Sequence, residues 1–294
     1  MPMGSLDEKY EGLRRFIEEK GKWGVVIAFS GGVDSSTLAA ICRDVLGERA
    51  VAVTAKSPTY PLEEIEEARN IAEEIGIRHY FVETDELSNE DFARNPEDRC
   101  YYCKKELLKR LQGFAEELGF KTVFEGTNFS DLSGHRPGYK AVREMENVLS
   151  PWVENEFTKE EIRILARRLG LSVYDKPALA CLASRIPFGE RITRDKLNRI
   201  GRAEQLIKRI SGVKQVRVRD HNGLARIEVG KDERTLLLNV RIMDEIAEKL
   251  KNMGFKFVTL DLEGYRTGSM LALLEPEGRK DVRIPSPTQG DLTR

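Results

Sequence analysis

Cysteine, histidine and tryptophan are scarce in this chain, with four, three and two residues among 294. Four cysteines are too few for a secreted disulfide framework, so a close pair of them reads as metal-binding or redox-active in a reducing compartment. The histidines, His79, His135 and His221, are scattered and argue against a histidine-rich metal centre. Long apolar runs are missing as well. The longest, Trp23 to Phe29, falls far short of the roughly 20 residues that span a bilayer, and no signal peptide pattern precedes it. The expectation is a cytoplasmic protein with no membrane partner. Charge of one sign is not in excess either: 48 Lys and Arg stand against 49 Asp and Glu, a net charge of −1. Such a chain has no global field to draw in a polynucleotide, so nucleic acid is not an expected partner, although local basic clusters can still hold small anions.

What is present is an alternation of strand and helix. Ser5 and Glu8 have the spacing of a capping box before an amphipathic helix, and Gly24 to Phe29 is an apolar strand running into a glycine turn. Val51 to Ala55 and Tyr80 to Glu83 read as further strands, with a helix from Pro61 between them carrying Glu63 and Glu64 in its first turn. Thr122 to Glu125 and Val148 to Val153 complete the strands of this part, and Thr158 with Glu161 caps another helix. The pattern predicts an α/β fold, a parallel sheet flanked by helices over residues 1–170, with ligands at the carboxyl ends of its strands. Residues 171–192 break the alternation and read as a linker carrying chemistry. Residues 193–275 predict a smaller α+β domain: a helix from Thr193 to Ile210, strands Val213 to Arg219 and Ala225 to Val229 turned at Asn222-Gly223, a helix ending near Met253, and a strand Lys256 to Leu260. Residues 276–294 read as a tail.

The first chemical motif is Ser30-Gly31-Gly32-Val33-Asp34-Ser35, set between an apolar strand and a helix expected from Asp34 to Leu46. Backbone amides and the positive end of a helix converge there, which makes an anion site. The glycines allow close approach of a ligand, Ser30, Ser35 and Ser36 can donate hydroxyl hydrogen bonds, and Asp34 can hold Mg2+ on phosphates. The lysine-ending signature of ordinary P-loop NTPases is missing, and a glycine turn built for tightness alone is the plain alternative. The whole string from Phe29 to Ser35 resembles the PP-loop of the ATP pyrophosphatase superfamily, whose members adenylate a substrate with ATP and release pyrophosphate. That resemblance implies the activation step and leaves the acceptor open.

The second motif is Cys100-Tyr101-Tyr102-Cys103, placed just before an amphipathic helix expected from Lys104 to Leu118. A third thiol, Cys181, lies in the irregular stretch Lys176 to Pro187. Three thiolates can bind a cluster or a metal and leave one coordination position open. Cys42, among Ala39, Ala40, Ile41 and Val45, reads as core packing.

These segments together, the PP-loop, Asn95 to Lys104, Glu125 to Asn128, Arg136-Pro137-Gly138 and Cys181 to Arg185, are similar to LarE over most of the chain. LarE proteins are sulfur transferases of nickel-pincer nucleotide synthesis. The resemblance implies adenylation of the carboxylates of pyridinium-3,5-biscarboxylic acid mononucleotide and their conversion to thiocarboxylates, with ATP, Mg2+ and a sulfide source. Some members sacrifice the sulfur of the cysteine matching Cys181. Others carry the extra Cys-x-x-Cys, and in those Cys100, Cys103 and Cys181 resemble the ligands of a 4Fe-4S cluster, the version expected here. A Zn2+ site, a free thiol pair, and a related PP-loop enzyme that thiolates tRNA are the alternatives, with an ATP-binding regulatory module as the non-enzymatic one. Around adenosine the expected residues are Lys56, Ser57, Gly126, Thr127 and Asn128, while Asp131 and Arg136 reach metal or phosphate. Arg185 could grip a substrate phosphate or carboxylate by its fork. Alternation puts Arg217 and Arg219 on one strand face, suited to an anionic nucleotide, with a solvent-facing hairpin salt-bridged through Glu228 and Asp232 as the plain reading. Cys181, Asp34, Arg185, Arg217 and Glu228 are the candidate catalytic residues, and the resemblance implies a homo-oligomer, a hexamer.

Overall fold

The structure, a computed structural model, describes residues 3–133, 136–177, 180–266 and 268–270. The tail from residue 276 and His135 lie outside the described residues. The chain runs α1 (Met3–Lys20), β1 (Val25–Ala28), α2 (Val33–Leu46), β2 (Ala50–Lys56), α3 (Leu62–Ile75), β3 (Arg78–Glu83), α4 (Glu90–Ala93) and α5 (Arg99–Glu117). It continues through β4 (Thr122–Phe124), α6 (Pro137–Arg143), β5 (Val148–Leu149), α7 (Pro151–Glu154) and α8 (Lys159–Arg168). After the linker come α9 (Arg194–Ser211), β6 (Val216–His221), β7 (Leu224–Val229), α10 (Val240–Asn252) and β8 (Phe257–Leu260).

The first five strands pair in the order β3-β2-β1-β4-β5, all parallel. Strand β1 explains why such strands read as unbroken apolar runs: Val25 and Ile27 enter the core on one face with α1, α2 and α8, and Val26 enters the core on the other face with α5. The connections run one way from β1 to β3 and the other way through β4 and β5. The crevice between the carboxyl ends of β1 and β4 is thus a topological switch point, where ligands of open α/β sheets bind. The second sheet, β6-β7-β8, pairs β6 with β7 antiparallel and β7 with β8 parallel, over a separate core that includes Ile207, Val218, Ile227 and Leu250. Asn222 and Gly223, both with positive φ, make its tight turn as their type predicts.

Three expectations change. Helix α1 begins at Met3, so Ser5 lies within it rather than before it. The strand expected from Val148 to Val153 stops at Leu149, because Pro151 opens the short helix α7. Helix α5 begins at Arg99, not Lys104, which draws both cysteines of the Cys-x-x-Cys into the helix, Cys100 in its first turn and Cys103 at the start of its second. The Thr158–Glu161 capping box is present in full, with Thr158 Oγ1 accepting from the Glu161 amide and the Glu161 carboxylate accepting from the Thr158 amide.

Candidate active site

The turn after β1 is shaped by packing as much as by ligand. Gly31 has φ +68°, and a Cβ there would lie 2.9 Å from Ala68 Cα of α3, so both backbone conformation and space demand glycine. The amide of Ser30 donates to Ser35 Oγ at 3.2 Å, and the Ser35 hydroxyl reaches Gly32 O at 3.1 Å, closing the loop over the first turn of α2. Gly126, at the end of β4, comes so near that a Cβ would stand 3.3 Å from the Ser35 amide. The ends of β1 and β4 therefore enclose one space.

That space is a cavity of about 430 Å3 lined by Ser30, Asp34, Ser35, Gly126, Thr127, Asp131, Arg136 and Cys181 from the expected set. Asp34 is oriented on all sides: Asn128 Nδ2 donates to its Oδ1 at 3.2 Å, Lys159 pairs with its Oδ2, and Trp152 Nε1 holds its carbonyl at 3.1 Å. Asp131 and Arg136 pair with each other at the cavity's edge. Ser36 is instead fully buried in α2, its hydroxyl without a hydrogen-bond partner among the described residues, and does not line the cavity.

Lys56 and Ser57, expected around adenosine, face elsewhere. Ser57 Oγ bonds the buried Glu86 carboxylate at 2.5 Å and Thr59 Oγ1 at 2.8 Å, while the Lys56 ammonium sits 4.6 Å from the centre of the Phe81 ring. Both line a neighbouring cleft. The cavity also has Tyr60, Glu64, Lys104 and Glu125, none of which the sequence assigned to the site although Lys104 and Glu125 fall within its motif segments. Glu125 is completely buried and accepts from Lys104 Nζ at 2.7 Å, Thr127 Oγ1 at 2.8 Å and Ser150. Burial alone would push its carboxyl up, but the Lys104 charge and these hydrogen bonds outweigh it and hold the group ionised, below the usual carboxylate range. Glu125 is thus an anchor that aims the Lys104 ammonium across the cavity.

Cys100 and Cys103 lie one turn apart on α5. Cys103 and Cys181, both half-buried, pack on one apolar cluster that includes Phe92, Leu182, Ile186, Leu197 and Ile200. The Cys103 thiol is pushed well up by burial, by Glu86, and by Cys181 and Cys100. Among the described residues, no group of three Cys, His, Asp or Glu side chains is placed to hold a metal ion. Cys42 is fully buried, as expected of a core residue.

Cys181 is irregular in backbone yet firmly seated. The Leu182 amide donates to Thr59 O at 2.8 Å, and Lys176 Nζ donates to Gly31 O of the PP-loop at 3.0 Å. Arg185, expected to grip a substrate anion, has its fork already filled: Nε and Nη2 bond the two oxygens of Glu204 at 2.9 and 3.1 Å, and Nη1 holds the carbonyls of Ala180 and Cys181 at 2.6 and 3.0 Å. With 2% of its surface exposed, it holds the backbone at Cys181 while also bordering the cavity that Arg217 lines. Glu228 is likewise enclosed, fully buried between Arg219 at 2.6 Å and Arg226 at 3.2 Å. Its hairpin is salt-bridged but not solvent-facing. Arg217 does share a strand face with Arg219, since they register opposite Glu228 and Arg226. Unlike Arg219 it forms no ion pair among the described residues, and its guanidinium lies 5.3 Å from the Tyr265 ring centre. It lines a second cavity of about 280 Å3 with Lys176, Lys208 and Lys214. Burial and the nearby Arg185 lower its affinity for its proton against the pull of Glu204, and Glu63, Glu64 and Glu67, the last paired with Lys176, line the same cavity. Glu64 borders both this cavity and the first.

A family model described as NAD synthase matches residues 5–107, the stretch from α1 to α5 that includes the PP-loop. The chain is 36% identical to the pyridinium-3,5-bisthiocarboxylic acid mononucleotide synthase of Lactiplantibacillus plantarum over 249 residues, 84% of this chain and 88% of that protein. It belongs to that synthase family, LarE. It is also 45% identical to the uncharacterized protein slr1717 of Synechocystis sp. over 92% of this chain and 99% of that protein. A tRNA-specific 2-thiouridylase MnmA of Parvibaculum lavamentivorans, 29% identical, aligns with only 52% of this chain and 47% of its own length. As a LarE family member the chain is an ATP-dependent sulfurtransferase. No helix among the described residues is long and apolar enough to cross a membrane.

Proposed function

We propose that this enzyme adenylates the carboxylates of pyridinium-3,5-biscarboxylic acid mononucleotide and converts each to a thiocarboxylate. The observation that carries this reading is that Cys181 and Asp34 line one cavity. An ATP-activating loop and a sulfur-bearing side chain face the same reacting atom only if activation and sulfur insertion share a substrate.

A carboxylate resists substitution because its leaving group would be oxide. Attack of a carboxylate oxygen on the α-phosphorus of ATP breaks the α–β phosphoanhydride bond, releases pyrophosphate and leaves an acyl-adenylate. Attack of hydrosulfide on that carbonyl then expels AMP, forming the thiocarboxylate and releasing one proton. The PP-loop amides and the amino end of α2 stabilise charge developing on pyrophosphate, with Asp34 placed to hold Mg2+ beside it. Lys104, aimed by Glu125, faces the same space and can neutralise the α-phosphate. Arg217 and the lysines of the second cavity suit the mononucleotide's phosphate.

Cys100, Cys103 and Cys181 fit a cationic cluster. Burial and the neighbouring thiols raise the proton affinity of Cys100 and Cys103, with Arg99 and Arg136 opposing this at Cys100 and Lys104 at Cys103, and a cationic iron–sulfur centre would favour their thiolate forms. When bound, a 4Fe-4S cluster would offer a non-protein sulfur at its open iron for delivery to the activated carbonyl. The test is anaerobic incubation with ATP, Mg2+, sulfide and the dicarboxylate nucleotide. We expect both thiocarboxylates with matching AMP and pyrophosphate, and loss of bound iron in Cys100→Ala. Absence of thiocarboxylate overturns the function; full transfer by an iron-free Cys100→Ala variant overturns the cluster.

A further inference from the structure

Beside the nucleotide cavity lies a larger cleft, about 810 Å3, between the ends of β2 and β3 and one face of α9. Helix α9 presents Arg194, Asn198, Arg202 and Gln205 to it, a stripe at helical spacing. Elsewhere on this helix Lys196 and Arg199 pair with carboxylates, as Arg194 does with Asp85, whereas Arg202 pairs with none among the described residues. The cleft therefore has an uncommitted cation at its rim.

Its floor bears on the thiols. Leu182 and Leu197 line the cleft and belong to the apolar cluster on which Cys103 and Cys181 pack. Tyr60 borders both the cleft and the nucleotide cavity, a partition between the two. Tyr60, Leu182 and Leu197 thus connect the cleft to the surroundings of the thiols, while the PP-loop residues line the other cavity. During turnover the nucleotide cavity is filled, first by ATP and then by the acyl-adenylate, and this covers Cys181 from that direction. Sulfur that arrives while this cavity is filled needs another way in.

We infer that this cleft is a second entrance to the thiols, through which hydrosulfide reaches them while the nucleotide cavity is occupied. The inference rests on the sulfur-transfer reading above. Hydrosulfide carries sulfur already at the sulfide level, so its entry needs no oxidant or reductant. Arg202 raises the local concentration of this small anion, and parting of Tyr60 from Leu182 opens the floor.

Two readouts on the full-length chain test it, using Asn198→Trp to plug the mouth and Arg202→Glu to reverse its charge. Both side chains are exposed on α9, where substitution leaves the core untouched. In the metal-free protein saturated with a non-hydrolysable ATP analogue, iodoacetate should still alkylate Cys103 in the wild type and do so much more slowly in Asn198→Trp. In steady state, Arg202→Glu should raise the KM for hydrosulfide roughly tenfold at low salt, with substrate-dependent ATP–pyrophosphate exchange unchanged in both variants. Complete protection of Cys103 by the analogue in the wild type, or an unaltered KM for hydrosulfide in both variants, overturns the entrance. Failure of the exchange reaction in the wild type would instead strike at adenylation, so the two ideas fail separately.

Discussion

Asp34→Asn will lower pyrophosphate release by on the order of a hundredfold to a thousandfold, the range for removing one preorganised electrostatic group from a reacting centre. The substitution keeps the shape of the side chain, so the hydrogen bond with Asn128 and the Trp152 contact to the Asp34 carbonyl can persist. What it removes is the charge that pairs with Lys159 and would hold Mg2+. That ion pair is partly exposed on both sides, and such pairs contribute only about 0–1 kcal/mol to folding. Thermal unfolding of the variant should match the wild type while pyrophosphate release, measured with saturating dicarboxylate, collapses. Unchanged release would place the metal and the leaving group elsewhere.

Cys181→Ser separates the two half-reactions. Thiocarboxylate formation should fall by roughly a thousandfold or more, as when a reacting group is removed outright, while pyrophosphate release continues. The loop should hold its posture in this variant because Arg185 grips the carbonyls of residues 180 and 181, not the thiol. Mass spectrometry of wild-type protein after many turnovers distinguishes the two fates of this cysteine. An intact Cys181 agrees with cluster-borne sulfur, and dehydroalanine at that position would show that its own sulfur had been spent.

The sheet and its loop could be read from the chain because their signals are local. Apolar runs such as Val25 to Ala28, a positive-φ glycine at Gly31 and a capping box at Thr158 each occupy a few consecutive residues. What stayed hidden depends on distant partners. Lys159 meets Asp34 from 125 residues away, Lys104 is aimed by Glu125, and Arg185 is claimed by Glu204 across the linker. Spacing put an arginine four residues after Cys181 but could not show the buried carboxylate from another helix that pairs with its fork. The position of Lys56 and Ser57 also depends on a distant partner: they stand at the end of β2 beside the PP-loop strand, and Ser57 bonds the buried Glu86 and lines the neighbouring cleft. The cysteine motif was visible as spacing, yet its place within the amino end of α5 came from Arg99 joining the helix.

The activation step is tested most directly by following oxygen. With the substrate carboxylates labelled with oxygen-18 and the reaction run to one turnover, the acyl-adenylate account predicts one labelled oxygen in AMP for each thiocarboxylate formed, with unlabelled pyrophosphate. Release of ADP and phosphate, or AMP free of label alongside labelled thiocarboxylate product, would contradict it.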